Sequence, residues 1–231
     1  MIDLHSHILP KLDDGSRSSD ESLNMLTLLA DQGVDLVVAT PHYYAFENSP
    51  ERFLERREAS YMRLKQRLGA DKPKVLLGAE VMYFEGIGYV EDLDKLRIEG
   101  TNLLLIEMPF DKWTDRCMRE VISIGQRPDI TVVLAHVDRY LGYQPKKVWG
   151  ELASAGIRMQ MNADPFLKWN TRYTALKMIK QGIVNFIGSD CHNTASRAPR
   201  IGEAQRIISE KIDPEMFDRW QAWQYKHFTD I

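Results

Sequence analysis

The sequence predicts an α/β fold built on a parallel sheet, and three observations lead there. Seven short runs are almost continuously apolar: IDLH (2–5), LVVAT (36–40), KVLLGAE (74–80), LLLIEM (103–108), TVVLAH (131–136), RMQMNA (158–163) and NFIGSD (185–190). Strands buried on both faces read this way, and crossover helices bury both faces of a parallel sheet. Helical segments separate the runs, so strand and helix alternate. Polar residues gather at the carboxyl ends of the runs, where function collects in barrels. An open sheet and a closed one both satisfy the alternation. Seven runs, one short of the usual eight, suit a distorted (β/α) barrel.

The first run ends on His5, with His7 two residues on. Alternate strand residues point the same way, so the two imidazoles face one spot with Asp3 beside them. Ser18 or Ser19 caps a helix that runs to Gln32, where Gly33 ends it. The second run ends on Pro41-His42, and residues 51–68 form a highly charged helix. Glu80 ends the third run and Glu107 the fourth; a helix over 114–127 follows. His136 ends the fifth run, ahead of a helix over 145–155, and Asn162 closes the sixth, ahead of one over 172–181. Asp190 and His192 close the seventh, and helices over 199–210 and 214–227 complete the chain. No Gly/Ser linker, low-complexity block or fixed-period repeat interrupts the alternation, so residues 1–231 read as one domain.

Composition narrows the function classes. Hydrophobic residues make up 44% of the 231, enough for a full core, and the net charge of -3 offers no broad basic surface for nucleic acid. No apolar stretch approaches the roughly 20 residues of a membrane helix. The opening MIDLHSH has no basic or apolar leader region, so no signal peptide is expected. Cys117 and Cys191 are the only cysteines, which argues against a disulfide framework and for a reducing cytoplasm.

Five of the six histidines fall at run ends, together with two glutamates and an aspartate; the sixth, His227, lies in the last helix with no catalytic part expected. Buried imidazoles and carboxylates without partners are costly, and a metal ion resolves that cost by supplying positive charge. The donors mix nitrogen and oxygen without thiolate, which favours Mn²⁺, Fe²⁺, Zn²⁺ or Co²⁺ over Ca²⁺. About eight candidates exceed the needs of one tetrahedral ion, so two or three ions sharing a carboxylate are expected. Such a cluster makes hydroxide at neutral pH and neutralises phosphoryl charge.

Asp13-Asp14-Gly15 reads either as a turn ahead of a helix or as a further ligand; adjacent residues rarely face one ion, so one of the pair, Asp14, is chosen. Arg139 and Arg197 lie on loops beyond His136 and His192. They suit bidentate phosphate binding, or else form surface ion pairs. Tyr43, Tyr44, Phe46 and Tyr140 stand near the mouth, where they stack on an aromatic substrate or pack the loops.

Cys191 and Arg197 also present a Cys-x5-Arg spacing, the loop signature of cysteine-dependent tyrosine phosphatases. The match is poor. Asp190 stands where those enzymes carry histidine, and CHNTASR lacks the glycine of a phosphate-wrapping turn. Cys191 reads as a small buried residue.

The motifs HSH at 5–7, TPH at 40–42, GAE at 78–80, the Glu107 strand, AHVDRY at 135–140 and GSDCH at 188–192 follow one order. In that order the sequence resembles the polymerase-and-histidinol-phosphatase (PHP) superfamily of metal-dependent phosphoesterases. The opening MIDLHSHILPKLDDGS is similar, more narrowly, to the bacterial protein-tyrosine phosphatases of capsule and exopolysaccharide operons. The resemblance spans essentially the whole chain. It implies a distorted (β/α)7 TIM-like barrel with a three-metal site at the C-terminal strand ends, usually manganese, with iron, zinc, cobalt or magnesium as substitutes. Carried over, His5, His7, Glu80 and Asp190 hold one ion; Glu80 bridges to a second held by Glu107 and His136; Asp14, His42 and His192 hold the third. Arg139 and Arg197 match the family's phosphate-binding arginines. Two positions depart from the pattern: Lys11 replaces the glycine usual after HSHILP, and Cys191 fills a variable slot.

The expected activity is hydrolysis of phosphotyrosine by hydroxide shared between ions, on a bacterial tyrosine autokinase that controls polysaccharide export. Three rivals share parts of the site: a small-molecule phosphatase of the histidinol-phosphate type, a metal-dependent amidohydrolase, and a non-catalytic phosphopeptide-binding regulator.

Overall fold

A computed structural model of the chain describes residues 1–229. Nine strands alternate with eight α-helices among them. The strands are β1 (Ile2–Ser6), β2 (Leu36–Ala39), β3 (His42–Tyr43), β4 (Lys74–Leu77), β5 (Glu80–Met82), β6 (Leu103–Glu107), β7 (Thr131–Leu134), β8 (Arg158–Asn162) and β9 (Phe186–Gly188). The helices are α1 (Ser19–Asp31), α2 (Pro50–Lys65), α3 (Asp115–Gly125), α4 (Lys147–Ser154), α5 (Asp164–Leu167), α6 (Trp169–Lys180), α7 (Ile201–Lys211) and α8 (Pro214–Tyr225).

Every strand pair is parallel. One sheet has the order β1-β2-β4 and the other β3-β5-β6-β7-β8-β9. The chain steps from the first sheet to the second twice, at Thr40-Pro41 and at Gly78-Ala79. Proline cannot donate to a ladder, and Gly78 admits the side chains of Ile98, Thr40 and Val38 within 3.3 Å of where a Cβ would stand. Two runs expected as single strands are therefore broken, and Glu80 begins a strand instead of ending one. At the far side β9 lies along β1: the Asp190 N–H donates to His5 O at 2.8 Å and the His7 N–H to Cys191 O at 2.9 Å. Gly188 allows that approach, since a Cβ there would sit 2.7 Å from His5 Cβ. The result is a parallel-strand, barrel-like α/β fold.

Strand residues divide between two apolar layers with a period of two. Leu36 and Val38, Leu103 and Leu105, and Val133 join Ile2, Leu4 and Phe186 in a small inner cluster. Their neighbours Val37, Leu104, Ile106, Val132 and Leu134 join the larger layer that packs on Met25, Leu29, Val121, Ile124 and Ile208 of the helices. Truncating any such fully buried leucine to alanine costs about 2–5 kcal/mol. Glu107 continues the phase of Leu103 and Leu105, and Gln160 and Asn162 alternate with the outward Met159 and Met161. The inner face thus turns from apolar to polar toward the strand ends.

Helix ends follow their sequence signals. Ser18 caps α1 by accepting the Glu21 N–H, Thr114 caps α3, and Gly33 follows α1 at φ +82. The sixth inter-strand segment differs from expectation: α6 begins at Trp169, and a single turn, α5, precedes it with Pro165 in its first turn. Among the described residues no helix is long and apolar enough to cross a membrane.

Three non-glycine residues adopt left-handed backbone: Lys11 (φ 58), His136 (φ 30) and Asp190 (φ 50). For an L-residue this conformation costs about 1–2 kcal/mol. Lys11 is exposed, and its N–H donates to Ser16 O at 2.8 Å to close the loop after β1. Lys11→Gly is expected to raise the unfolding free energy by about 1 kcal/mol, because glycine adopts positive φ freely. Urea denaturation checks this: the midpoint should rise at unchanged slope, and a fall would mean that the lysine side chain itself secures the loop.

Candidate metal centre

β1 delivers His5 and His7 to the carboxyl end of the sheet, both fully buried. The loop that follows turns back onto His7, whose carbonyl accepts the Ser16 N–H at 3.0 Å. Gly15 makes that turn possible, since a Cβ there would stand 2.2 Å from His7 O. The turn separates the two aspartates. Asp13 goes beneath the site, accepting from His7 Nδ1 at 2.7 Å, from the Gly15 N–H at 3.0 Å and from the His42 N–H at 3.1 Å. Asp14 stands at the rim, 63% exposed, with Oδ1 at 3.4 Å from His42 Nε2 and 3.3 Å from His192 Nε2.

Glu80 occupies the middle, 1% exposed. Its Oε2 lies 3.2 Å from His5 Nε2, 3.3 Å from His7 Nε2 and 3.0 Å from His42 Nδ1. Its Oε1 lies 2.8 Å from His136 Nε2, which is also 3.3 Å from Glu107 Oε1. β3 and β5 set this up through register, with His42 directly opposite Glu80. Asp190 and His192 follow β9, and Asp190 Oδ1 lies 3.6 Å from His7 Nε2. Three overlapping groups have donor atoms within 4.8 Å of one another: His7, Asp14, His42 and His192; His5, His7 and Asp190; and His42, Glu80 and Glu107. His136 belongs to none of the three but reaches the last through Glu80 and Glu107.

Supporting hydrogen bonds decide which ring nitrogen faces inward. His5 Nδ1 meets Gln160 Oε1 at 3.1 Å, His7 Nδ1 meets Asp13, and His192 Nδ1 meets the Asp190 carbonyl at 3.0 Å. In each case Nδ1 meets an acceptor and Nε2 faces the centre. His5 Nε2 and His7 Nε2 then stand only 3.1 Å apart. That separation requires a proton or a metal cation between the two nitrogens. Glu80 Oε2, His42 Nδ1 and His192 Nε2 are buried without a hydrogen-bond partner. Orphaned, convergent nitrogen and oxygen donors fit divalent cations.

The electrostatics point the same way. Burial disfavours charge on His7, yet Asp13 and Glu80 outweigh it and raise its pKa to about 10. His136 is likewise raised to about 9 against its burial, by Glu107 and Glu80. Burial works against ionisation of Glu80 and Asp190, but the neighbouring imidazoles hold both carboxyls well below the usual range. His192, its ring centre 3.9 Å from that of His7, is pushed down to about 4 by burial and by the His7 charge. The place thus selects positive charge.

Arg139 and Arg197 come together on Asp190: the Arg139 guanidinium donates to Oδ2, and Arg197 Nη2 donates to Oδ1 at 2.8 Å. Asn162 also donates to Asp190, at 2.9 Å, and accepts from Gln160 at 2.9 Å. The two arginines therefore stand side by side at one edge of the donor set, each about one-third exposed.

Sequence reasoning set Asp13 aside in favour of Asp14 and missed Gln160 and Phe110. Gln160 was legible as an inward polar residue in an otherwise apolar strand; its Oε1 also accepts the His136 N–H at 2.6 Å. Phe110, 49% exposed, stacks on His136 at 5.8 Å. Of the four aromatics expected at the mouth, Tyr44 stacks on His42 at 5.4 Å and Phe46 on Tyr44. Tyr43 and Tyr140 are buried packing residues instead, Tyr43 against Phe53 and Tyr140 accepting the Met108 N–H. His227 packs on Trp223 at 4.6 Å, in a short helical turn (Lys226–Phe228) after α8. Cys191 is fully buried and free, and burial raises its thiol pKa far above neutrality, the reverse of what a nucleophilic thiolate needs.

Residues 1–222 match the family model for capsular polysaccharide synthesis, CpsB/CapC. The chain is 30% identical over 236 residues to the tyrosine-protein phosphatase CpsB of Streptococcus agalactiae, covering 93% of this chain and 92% of that protein. It is 30% identical to the tyrosine-protein phosphatase YwqE of Bacillus subtilis, covering 94% and 87%. A solved structure from work on YwqE of Bacillus subtilis and CpsB of Streptococcus pneumoniae, described as unique metal-dependent tyrosine phosphatases, superposes with a TM-score of 0.82. It covers 97% of this chain and 93% of that one at 23% identity, a likeness of fold. The parallel barrel-like sheet, the motif order and the match over nearly the whole length agree: the chain belongs to the CpsB/CapC family of capsular polysaccharide synthesis.

Proposed function

We propose that the chain is a metal-dependent protein-tyrosine phosphatase whose substrate is a bacterial tyrosine autokinase of capsule or exopolysaccharide synthesis. Relatives 30% identical over most of the chain are tyrosine-protein phosphatases by name. One observation carries the reading: two guanidinium groups meet on Asp190 at the edge of a buried imidazole–carboxylate cluster. Cation-holding donors beside an anion-clamping pair suit a phosphate monoester.

In this reading His5, His7, Glu80 and Asp190 would hold one ion, Glu80, Glu107 and His136 a second, and Asp14, His42 and His192 a third. Manganese would be the resident metal. Bound there, divalent ions activate water at neutral pH and neutralise phosphoryl charge. Arg139 and Arg197 grip phosphoryl oxygens in bidentate fashion and hold the ester in line. Asp13 and Gln160 fix the His7 and His5 rings, so the donors need no rearrangement. Tyr44, Phe46 and Phe110 border the opening with aromatic faces suited to a phenyl ring. Tyrosinate leaves moderately well, so no strong protein acid is required. Residues 1–231 form a single catalytic domain working in the cytoplasm. Its barrel is (β/α)7 when each broken run counts as one stave.

Three outcomes are expected. Hydrolysis of a phosphotyrosine peptide should stop with EDTA, return with Mn²⁺ and persist within about threefold in Cys191→Ser, whose thiol is buried and protonated. A dead Cys191→Ser variant, together with an unsubstituted protein indifferent to EDTA, would transfer the chemistry to the cysteine. Arg139→Ala and Arg197→Ala should each lower kcat/KM on that peptide by about 10²-fold or more, as loss of one charge-stabilising donor does. Unaltered rates would favour the amidohydrolase reading. Asp13→Asn should weaken Mn²⁺ binding about 10- to 100-fold by loosening the His7 ring. Titration calorimetry measures that directly, and an unchanged affinity would confine Asp13 to a folding role.

A further inference from the structure

A groove of about 1220 Å³ leads away from Arg139, Asp190 and Arg197. Residues of the turn at Val137–Tyr140, of α4 and of α6 line it, together with Gln181 and Ile183. Trp149, Met161 and Met178, all nearly or fully buried, form an apolar floor. Lys146, Lys147, Lys168 and Lys177 are exposed along the rim. The space exceeds the roughly 300–1,000 Å³ of a small-molecule pocket.

Its charge is opposite to that of the chain. Seven basic and three acidic side chains line the groove, whereas the chain as a whole carries -3. The three acids are already engaged. Asp190 holds the two arginines, Asp164 pairs with Lys168 at 3.3 Å, and Asp138 accepts the Asn162 N–H at 3.0 Å. Lys147 and Arg200 have partners in Glu151 and Glu203. Among the described residues Lys146, just before α4, and Lys177, on α6, pair with no carboxylate.

We propose that this groove docks an extended acidic peptide segment next to the scissile phosphotyrosine. Apolar side chains of the segment sit on the floor and its carboxylates meet Lys146 and Lys177. The proposal rests on the phosphatase reading and adds a preference to it. The arginines belong both to the donor cluster's edge and to the groove's mouth, so a peptide anchored by its phosphate continues directly into the groove. A uniformly basic nucleic-acid surface would not alternate an apolar floor with a cationic rim, and a small phosphomonoester would leave most of the space unused.

The test uses Mn²⁺-loaded protein and two phosphotyrosine peptides that differ only in glutamate or glutamine flanks. At low salt the glutamate peptide should have a KM about tenfold lower at similar kcat, the effect of two exposed ion pairs, and the difference should fade in high salt. Lys146→Glu with Lys177→Glu should invert the preference, and Lys146→Gln with Lys177→Gln should erase it. Fluorescence anisotropy with the same peptides carrying non-hydrolysable phosphonomethyl-phenylalanine should give the same ranking. Equal constants for both peptides, or a preference that survives charge reversal, overturn the groove proposal and leave the phosphatase reading standing. If neither peptide is cleaved, the phosphatase reading fails and the proposal with it. A dimer in sedimentation that dissociates on Lys177→Glu would assign the groove to a second copy of the chain and overturn the peptide assignment.

Discussion

The buried Glu80 carboxylate, ringed by imidazole nitrogens, is the constraint on which the rest of the structure depends. One oxygen has three histidine nitrogens within 3.3 Å and the other has His136 at 2.8 Å. Two of those nitrogens, on His5 and His7, are 3.1 Å apart. Left neutral, such a cluster is repulsive; cations turn the same geometry into coordination. The candidate donors come from six separate stretches of chain, so the barrel-like sheet must hold many strand ends in fixed relation. A parallel sheet does this well, because every strand points its carboxyl end to one side.

Around that centre lies a layer whose work is orientation. Asp13 satisfies one ring nitrogen and two backbone N–H groups, and Gln160 one of each, so ring orientation and main-chain position are set together. His136 and Asp190 are held in left-handed backbone that ordinary residues avoid, and both are donors at the site. Local strain of this kind persists only where the surroundings over-determine it, and here the surroundings are the packed strands β7, β8 and β9. Lys11 carries the same conformation outside the donor set.

Asp190 ties the two halves of the site together. It faces His7 on one side and both arginines on the other. The convergent imidazole–carboxylate cluster and the two arginines are thereby adjacent, and the same arginines line the cationic groove. The Cys-x5-Arg spacing falls on this corner as well, but for a different reason. Cys191 is simply the residue between two donors, with its thiol turned into apolar packing while Asp190 and His192 face the centre.

The sequence by itself determined the alternation of elements, the donor types and their location. Apolar runs, caps such as Ser18 and terminators such as Gly33 are local signals, and local physics reads them without knowledge of the fold. The ordered motifs from HSH to GSDCH, with Asp14 and Arg197 outside them, supplied the nine candidate donors and the two candidate phosphate-binding arginines. Tertiary structure decided which donors share a neighbour. The register that sets His42 against Glu80 depends on strand pairing, and the division of labour between Asp13 and Asp14 depends on Gly15 turning back onto His7. The broken runs at Pro41 and Gly78, and the retreat of Tyr43 and Tyr140 into the core, are likewise long-range outcomes. A residue's own neighbours in sequence fix its local conformation; only the closing of distant strands fixes what stands within 3 Å of its side chain.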